Sequence, residues 1–248
     1  MEVALFIPCF IDQLYPKTAQ NCVDLLEAAG CSVSYNPEQT CCGQPSFNSG
    51  YWGEAKSLAK KFLNDFNNDK IIVSPSASCA GFIKNYYHKL IETDHQLKQR
   101  SLQISSQIVE LSDFLVNQLK VTQFGTEFNH KVTFHDSCAG LREYGIKEEP
   151  RLLLKGVKGL ELIEMADTTT CCGFGGTFAA KFHHISTSMT AQKVENAVAT
   201  GAEFIVSTEA SCLMNMEGYI KKQKLGIRTI HLVDALVGET GAKSFNNF

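Results

Sequence analysis

The chain has 248 residues, 44% of them hydrophobic and 20% charged, with a formal net charge of −3. No basic run or aromatic–basic interleaving offers a nucleic-acid surface. The longest unbroken apolar run, Val3–Ile7, is far short of the roughly 18 residues a membrane helix needs. Glu2 and Pro8 break a signal-peptide pattern, so the expectation is a cytoplasmic protein, with peripheral docking on a membrane complex left open.

In chain order, VALFI (Val3–Ile7) reads as a strand. Thr18–Ala29 reads as a helix with Cys22, Leu25, Leu26 and Ala29 on one face, and Gly30 suits its C-terminal cap. CSVSY (Cys31–Tyr35) is the next strand. Glu54–Phe66 is a helix whose apolar face carries Leu58, Phe62, Leu63 and Phe66. IIVS (Ile71–Ser74), KVTF (Lys131–Phe134), LELIEM (Leu160–Met165) and EFIVS (Glu203–Ser207) follow as strands. Ser188–Ala199 is a helix with Met189, Ala191, Val194 and Val198. Strands alternating with helices predict an α/β fold of βαβ units with mostly parallel sheets.

The second half restates the first. VALFIPC (Val3–Cys9) pairs with VTFHDSC (Val132–Cys138), and CCG at Cys41–Gly43 with CCG at Cys171–Gly173. VSPSASC (Val73–Cys79) matches VSTEASC (Val206–Cys212) at five of seven positions. IVELSDFLV (Ile108–Val116) pairs with TIHLVDALV (Thr229–Val237). The predicted organisation is two pseudo-equivalent lobes, 1–120 and 129–248. The polar stretch Glu92–Gln103 is a surplus surface loop or helix extension in the first.

Ten cysteines are many for a reducing compartment, where thiols serve as metal ligands or redox groups more often than as staples. The repeated ones fall where strands end. Cys9 and Cys138 close the first strand of each lobe, and Cys79 and Cys212 end the VSxxASC strands. In open parallel sheets ligands gather beyond that rim. The CCG pairs can meet them there, giving Cys9, Cys41, Cys42 and Cys79 in one lobe and Cys138, Cys171, Cys172 and Cys212 in the other. Four thiols suit an iron–sulfur centre. Cys₄ zinc uses the same atoms, although a lone, a paired and a lone cysteine do not make the usual zinc knuckle. A dithiol redox site is the third chemistry. Gly43, Gly173, Gly175 and Gly176 let backbone N–H groups approach an anionic centre. Cys22 and Cys31 have no repeat partners and read as buried apolar residues.

Paired CCG segments, each with a lone cysteine upstream and another downstream, resemble the cysteine-rich CCG domain family of heterodisulfide reductase B-type and glycolate oxidase iron–sulfur subunits. CCGQPSFNSGY, SPSASCAG, CCGFGGTFAAK and SCLMN are most similar to its lactate-oxidising branch. The resemblance spans essentially the whole chain. It implies that the eight repeated cysteines bind one or two iron–sulfur clusters, of [4Fe–4S] type, with zinc as an option in one lobe. It also implies an electron-transfer subunit of an L-lactate or 2-hydroxy-acid oxidising complex yielding pyruvate, with partner subunits that include a ferredoxin-type iron–sulfur protein. Many CCG domains carry a fifth thiol in C-x-x-C. Here Phe82 and Asn215 stand at that position, leaving four thiols per lobe.

A cluster takes no hydride, so the complete reaction needs another acceptor. GFGG at Gly173–Gly176 is not a GxGxxG nucleotide fingerprint. The chain therefore reads as a subunit rather than a complete enzyme. His135, Arg142, Lys181, His183 and His184 are second-lobe groups near the motifs that can meet a carboxylate, or else shield a cluster or face solvent. His135 doubles as a hydrogen-bond donor to cluster sulfur. His88 reads as a surface residue.

Overall fold

The computed structural model describes residues 1–92 and 94–239. Thr93 of the surplus stretch and residues 240–248 of the second predicted lobe lie outside the described residues. The chain forms two four-stranded sheets with every pairing parallel. The first contains β1 (Glu2–Leu5), β2 (Ser32–Tyr35), β3 (Ile71–Ser74) and β4 (Ile108–Glu110), in the order β2-β1-β3-β4. The second contains β5 (Lys131–Phe134), β6 (Glu161–Leu162), β7 (Phe204–Ser207) and β8 (Arg228–His231), in the order β6-β5-β7-β8. The α/β fold and its duplication are as the sequence predicts.

The central strands are apolar on both faces, as parallel strands covered on two sides must be. Alternation divides their side chains between two cores. Val3, Leu5 and Ile7 join Val132, Phe134, Phe204 and Val206 in one cluster that runs through both lobes. Ala4 and Phe6 face a first-lobe cluster with Phe62, Phe82 and Tyr87. Ile205 faces its second-lobe counterpart with Val194 and Met216. Cys22 and Cys31 are buried in the shared cluster, as apolar residues.

Helix Pro16–Ala28 ends where Gly30, at φ +83°, lets Cys31 N–H reach Leu26 O and Gly30 N–H reach Glu27 O. LELIEM contributes only Glu161–Leu162 as strand. The strands β4 and β8 were not legible beforehand: each is three or four residues long and runs straight into a helix whose pattern dominates. Their last residues, Glu110 and His231, cap those helices by accepting from Ser112 and Asp113 N–H and from Val233 N–H. The surplus stretch forms a separate helix, His95–Gln107, capped by Asp94.

The lobes are pinned at two pseudo-equivalent places. Thr18 and Asn21 donate to Asp234 at 2.6 and 2.8 Å. Tyr144 donates to Asp113 at 2.6 Å and accepts from Glu110 N–H. The carboxyl rims of the two sheets thereby face one another.

Candidate metal centre

Each strand stops a few residues before its cysteine. Cys9 opens helix Cys9–Leu14, while Cys79 and Cys212 lie in the first turns of Ala77–Leu90 and Ala210–Gln223. Cys138 and Ala139 form the helical lead-in to the π-helical turn Gly140–Tyr144. The thiols thus keep to the carboxyl rim while facing helix N-termini, where the peptide dipoles favour negative charge. The CCG pairs are aimed by their glycines. Gly43 and Gly173 have φ of +91° and +85°, and a Cβ on Gly173 would lie 2.5 Å from Ser186 O. In return, Gly43 and Gly173 N–H each donate to the first sulfur of the pair, Cys41 or Cys171, at 3.4 Å.

All eight repeated cysteines line a single cavity of about 170 Å³ between the lobes, and all are free thiols. Within the first quartet, hydrogen bonds link Cys9 to Cys41, Cys41 to Cys42, and Cys42 to Cys79, whose Sγ atoms are 3.3 Å apart. Cys138, Cys171, Cys172 and Cys212 form the same chain in the second. Hydrogen bonds from Cys42 and Cys9 pull the Cys41 thiol down to about 3, and those from Cys138 and Cys172 pull Cys171 down to about 2, each helped by the glycine N–H and opposed by burial. Their neighbours Cys9, Cys42, Cys138 and Cys172 are pushed up, first by the bond to that sulfur and then by burial. Each quartet is built to hold negative charge on sulfur.

Rings of the two lobes meet at the cavity wall, with Phe10 edge-on to Phe174 at 5.6 Å. Ser49 and Thr177 touch at 3.2 Å nearby. Glu209, which stands opposite Ser76 in the repeat, also lines the cavity. It is buried and accepts from Ser76 Oγ, Ser78 N–H and Ser78 Oγ across the lobe boundary. Burial raises it to about 7 against the pull of those donors.

Behind the sulfurs the lobes differ. In the first, Phe6, Phe62, Phe82 and Tyr87 pack edge to face, and Tyr87 Oη donates to Cys42 O at 2.7 Å. In the second, His135 takes the place of Phe6. Both residues donate N–H to the neighbouring strand, to Val73 O from Phe6 and to Val206 O from His135. Leu58 and Met189 lie against Gly43 and Gly173, and one helical turn further on Phe62 is matched by Lys193. Lys193 is fully buried and its ammonium donates to Asp167 O and Thr168 O at 3.0 and 2.6 Å. Burial draws it down to about 8. His135 is equally buried and both its ring nitrogens lack a partner. One ring nitrogen lies within 4.8 Å of the Cys172 and Cys212 sulfurs, themselves no farther apart, and burial lowers the imidazole to about 3. Thr190 and Asn215 donate to Cys172 O at 2.9 and 3.0 Å, so Asn215 acts as an amide donor to the backbone of the cysteine pair.

The donor set fits a metal–thiolate centre: four sulfurs per lobe, N–H donors beside them and, in the second lobe, a buried cation and an imidazole that an anionic centre would satisfy. The other expected groups do not join it. Arg142, Lys181, His183 and His184 are exposed and lie off the cavity lining, and His88 is half-buried on its helix. Sequence reasoning missed Lys193 and Glu209. The signals available were a lysine beside Val194 in the helix and an acid, Glu209, standing opposite Ser76 in the VSxxASC repeat.

The cysteine-rich domain family CCG matches residues 3–84 and 132–217. Lactate utilization protein A of Oceanobacillus iheyensis is 38% identical over 236 residues, covering 95% of this chain and 96% of that protein. Its namesake in an Exiguobacterium species is 41% identical over 237 residues, covering 95% and 96%. A hypothetical protein from Helicobacter pylori shares the fold, with a TM-score of 0.64 at 14% identity, over 98% of this chain and 49% of that one.

Proposed function

The chain belongs to the CCG cysteine-rich domain family and, within it, to the lactate utilization protein A group; from that premise we propose that it is the iron–sulfur electron-transfer subunit of a multi-component system oxidising L-lactate, or another 2-hydroxy acid, to the 2-oxo acid. The carrying observation is the meeting of two thiol quartets on one cavity. A [4Fe–4S] cluster in a quartet supplies a one-electron store. Cys9, Cys41, Cys42 and Cys79 would hold one, and Cys138, Cys171, Cys172 and Cys212 the other. The glycine N–H groups on Cys41 and Cys171 favour the anionic state of each centre.

Removing two electrons and two protons from lactate needs a hydride or proton acceptor. GFGG cannot frame one here, because it follows the CCG pair and runs into the short helix Thr177–Lys181. That step therefore belongs to a partner subunit, and a ferredoxin-type iron–sulfur partner receives or delivers the electrons in the cytoplasm. No helix among the described residues is long and apolar enough to cross a membrane.

A zinc-stabilised scaffold is the second reading. It is favoured by the 3.3 Å separation of Cys42 and Cys79 Sγ, which is nearer the roughly 3.8 Å edge of a tetrahedron with Zn–S bonds of about 2.3 Å than the wider spacing around a cubane. Anaerobic purification decides between them. Iron and sulfide with broad visible absorbance support electron transfer. A colourless protein with stoichiometric zinc refutes it.

A further inference from the structure

The two quartets are alike in sulfur and unlike in what surrounds them, and that difference has a direction. A metal–thiolate centre gains one negative charge when it is reduced. Nearby positive charge and N–H donors stabilise the reduced state and raise the potential, while apolar surroundings lower it. The first quartet is backed by Phe6, Phe62, Phe82 and Tyr87, whose one hydroxyl is already committed to Cys42 O. The second is backed by Lys193 and His135, both without exposed surface.

Of the carboxylates that act on Lys193, Asp167 is exposed and screened by water, and Asp136 is taken up by an arginine. Asp136, the acid nearest in sequence to His135, is held bidentately by Arg151 at 2.9 and 2.8 Å. Arg151 also binds Glu164 at 2.6 and 3.0 Å. Those three groups carry two negative charges and one positive, and Glu164 is half-exposed, so water screens its contribution. Lys193 itself donates to two backbone carbonyls rather than to a carboxylate. His135, beside Cys172 and Cys212, keeps a ring N–H without a hydrogen-bond partner among the described residues. Burying an ammonium and an imidazole in this way is costly unless an anion answers them.

Resting on the function proposed above, we propose that Lys193 and His135 are positioning residues that raise the reduction potential of the second-lobe centre, making the second lobe the electron-accepting pole of the subunit. Their phenylalanine counterparts leave the first lobe as the lower-potential pole.

The test is a redox titration of the anaerobically reconstituted chain, followed by electron spin resonance. Lys193→Met is expected to lower the second-lobe potential by at least a tenfold change in equilibrium, about 59 mV for one electron, at unchanged iron content. Lys193→Arg, which keeps the charge, is expected to restore it. His135→Phe should shift it the same way by less. No shift in Lys193→Met at full iron content overturns the proposal. If that variant loses its iron, His135→Phe carries the test, and an unmoved potential overturns it equally. The highest-potential signal of the unmodified chain must vanish in Cys172→Ser and survive in Cys42→Ser; the reverse pattern also overturns the proposal. Absence of iron from the unmodified chain is a different result, because it refutes the electron-transfer function itself.

Discussion

The first lobe backs its four sulfurs with aromatic rings, and the second backs its own four with charge and hydrogen-bonding groups. What the lobes share is set by backbone: a left-handed glycine after each cysteine pair and a helix first turn under each lone cysteine. Such features tolerate few alternatives, so a duplicated chain presents them twice. What they do not share is set by side chains behind that frame, where Phe6 and Phe62 face His135 and Lys193. Ligand geometry and ligand environment are therefore separable, and the environment is where the two lobes have acquired different tasks.

The comparison is broken most directly at the sulfurs. Cys42→Ser is expected to empty the first lobe alone and Cys172→Ser the second alone, each leaving about half the metal, since the ligand set is a property of one lobe. Cys22→Ser, in the shared core, should leave metal content unchanged. Metal analysis of the three variants checks this. If either ligand variant loses all metal, the quartets are one cooperative site and not two.

A smaller effect sharpens the polar side of the comparison by changing sign with loading. In the metal-free chain, Lys193→Met removes a buried ammonium and should raise the melting temperature, by a stability gain of about 2–4 kcal/mol. The carbonyls it leaves belong to Asp167, an exposed residue, and Thr168, a half-exposed one. In the loaded chain the same substitution removes the partner of an anionic centre and should lower the melting temperature. Paired thermal unfolding of loaded and metal-free protein checks it. Equal shifts of one sign would mean that Lys193 serves the loop and not the centre.

The eight candidate ligands were legible because their signals are local and repeated: two CCG triplets and two VSxxASC segments mark the rim whatever the packing behind it. The central strands were legible for a related reason, being runs of Val, Ile and Phe bounded by turns. The rest depended on contacts between distant segments. β4 and β8 contain three or four residues each, and only their pairing with β3 and β7 makes them strands. Lys193 sits in helix His183–Val198, whose buried face mixes Ser186 and Thr190 with Val194 and Ala197, and its ammonium is held by the loop at Asp167 and Thr168. Arg142, Lys181, His183 and His184 had the right chemistry and lie close to the motifs in sequence, yet their helices turn them to solvent. Proximity along the chain says nothing about which face of a helix a residue occupies.

The lobes also differ where they are pinned together, and pH reads that difference. Glu110 and His231 hold the same place in the repeat, each ending its sheet's last strand and capping the helix that follows. Burial pushes Glu110 up to about 8, against hydrogen bonds from Ser112 and Asp113, and burial lowers His231. A carboxyl whose folded value lies above its unfolded one binds its proton more tightly in the folded state. Its stabilising contribution is complete below the ordinary carboxylate range and is lost as pH rises from about 4.5 to about 8. His231 has the opposite sign: its contribution is complete above the ordinary histidine value of 6.5 and is lost as pH falls below it. Glu110→Gln keeps an oxygen acceptor for Ser112 and Asp113 while removing the charge. It should therefore abolish the first slope alone, with a gain of about 4 kcal/mol at pH 8 and little gain at pH 4.5. Denaturant unfolding of the metal-free chain across that range, compared with the variant, measures it. A variant curve parallel to that of the unmodified chain would show that Glu110 keeps its charge at the lobe boundary, and that the two caps do not divide the pH dependence between them.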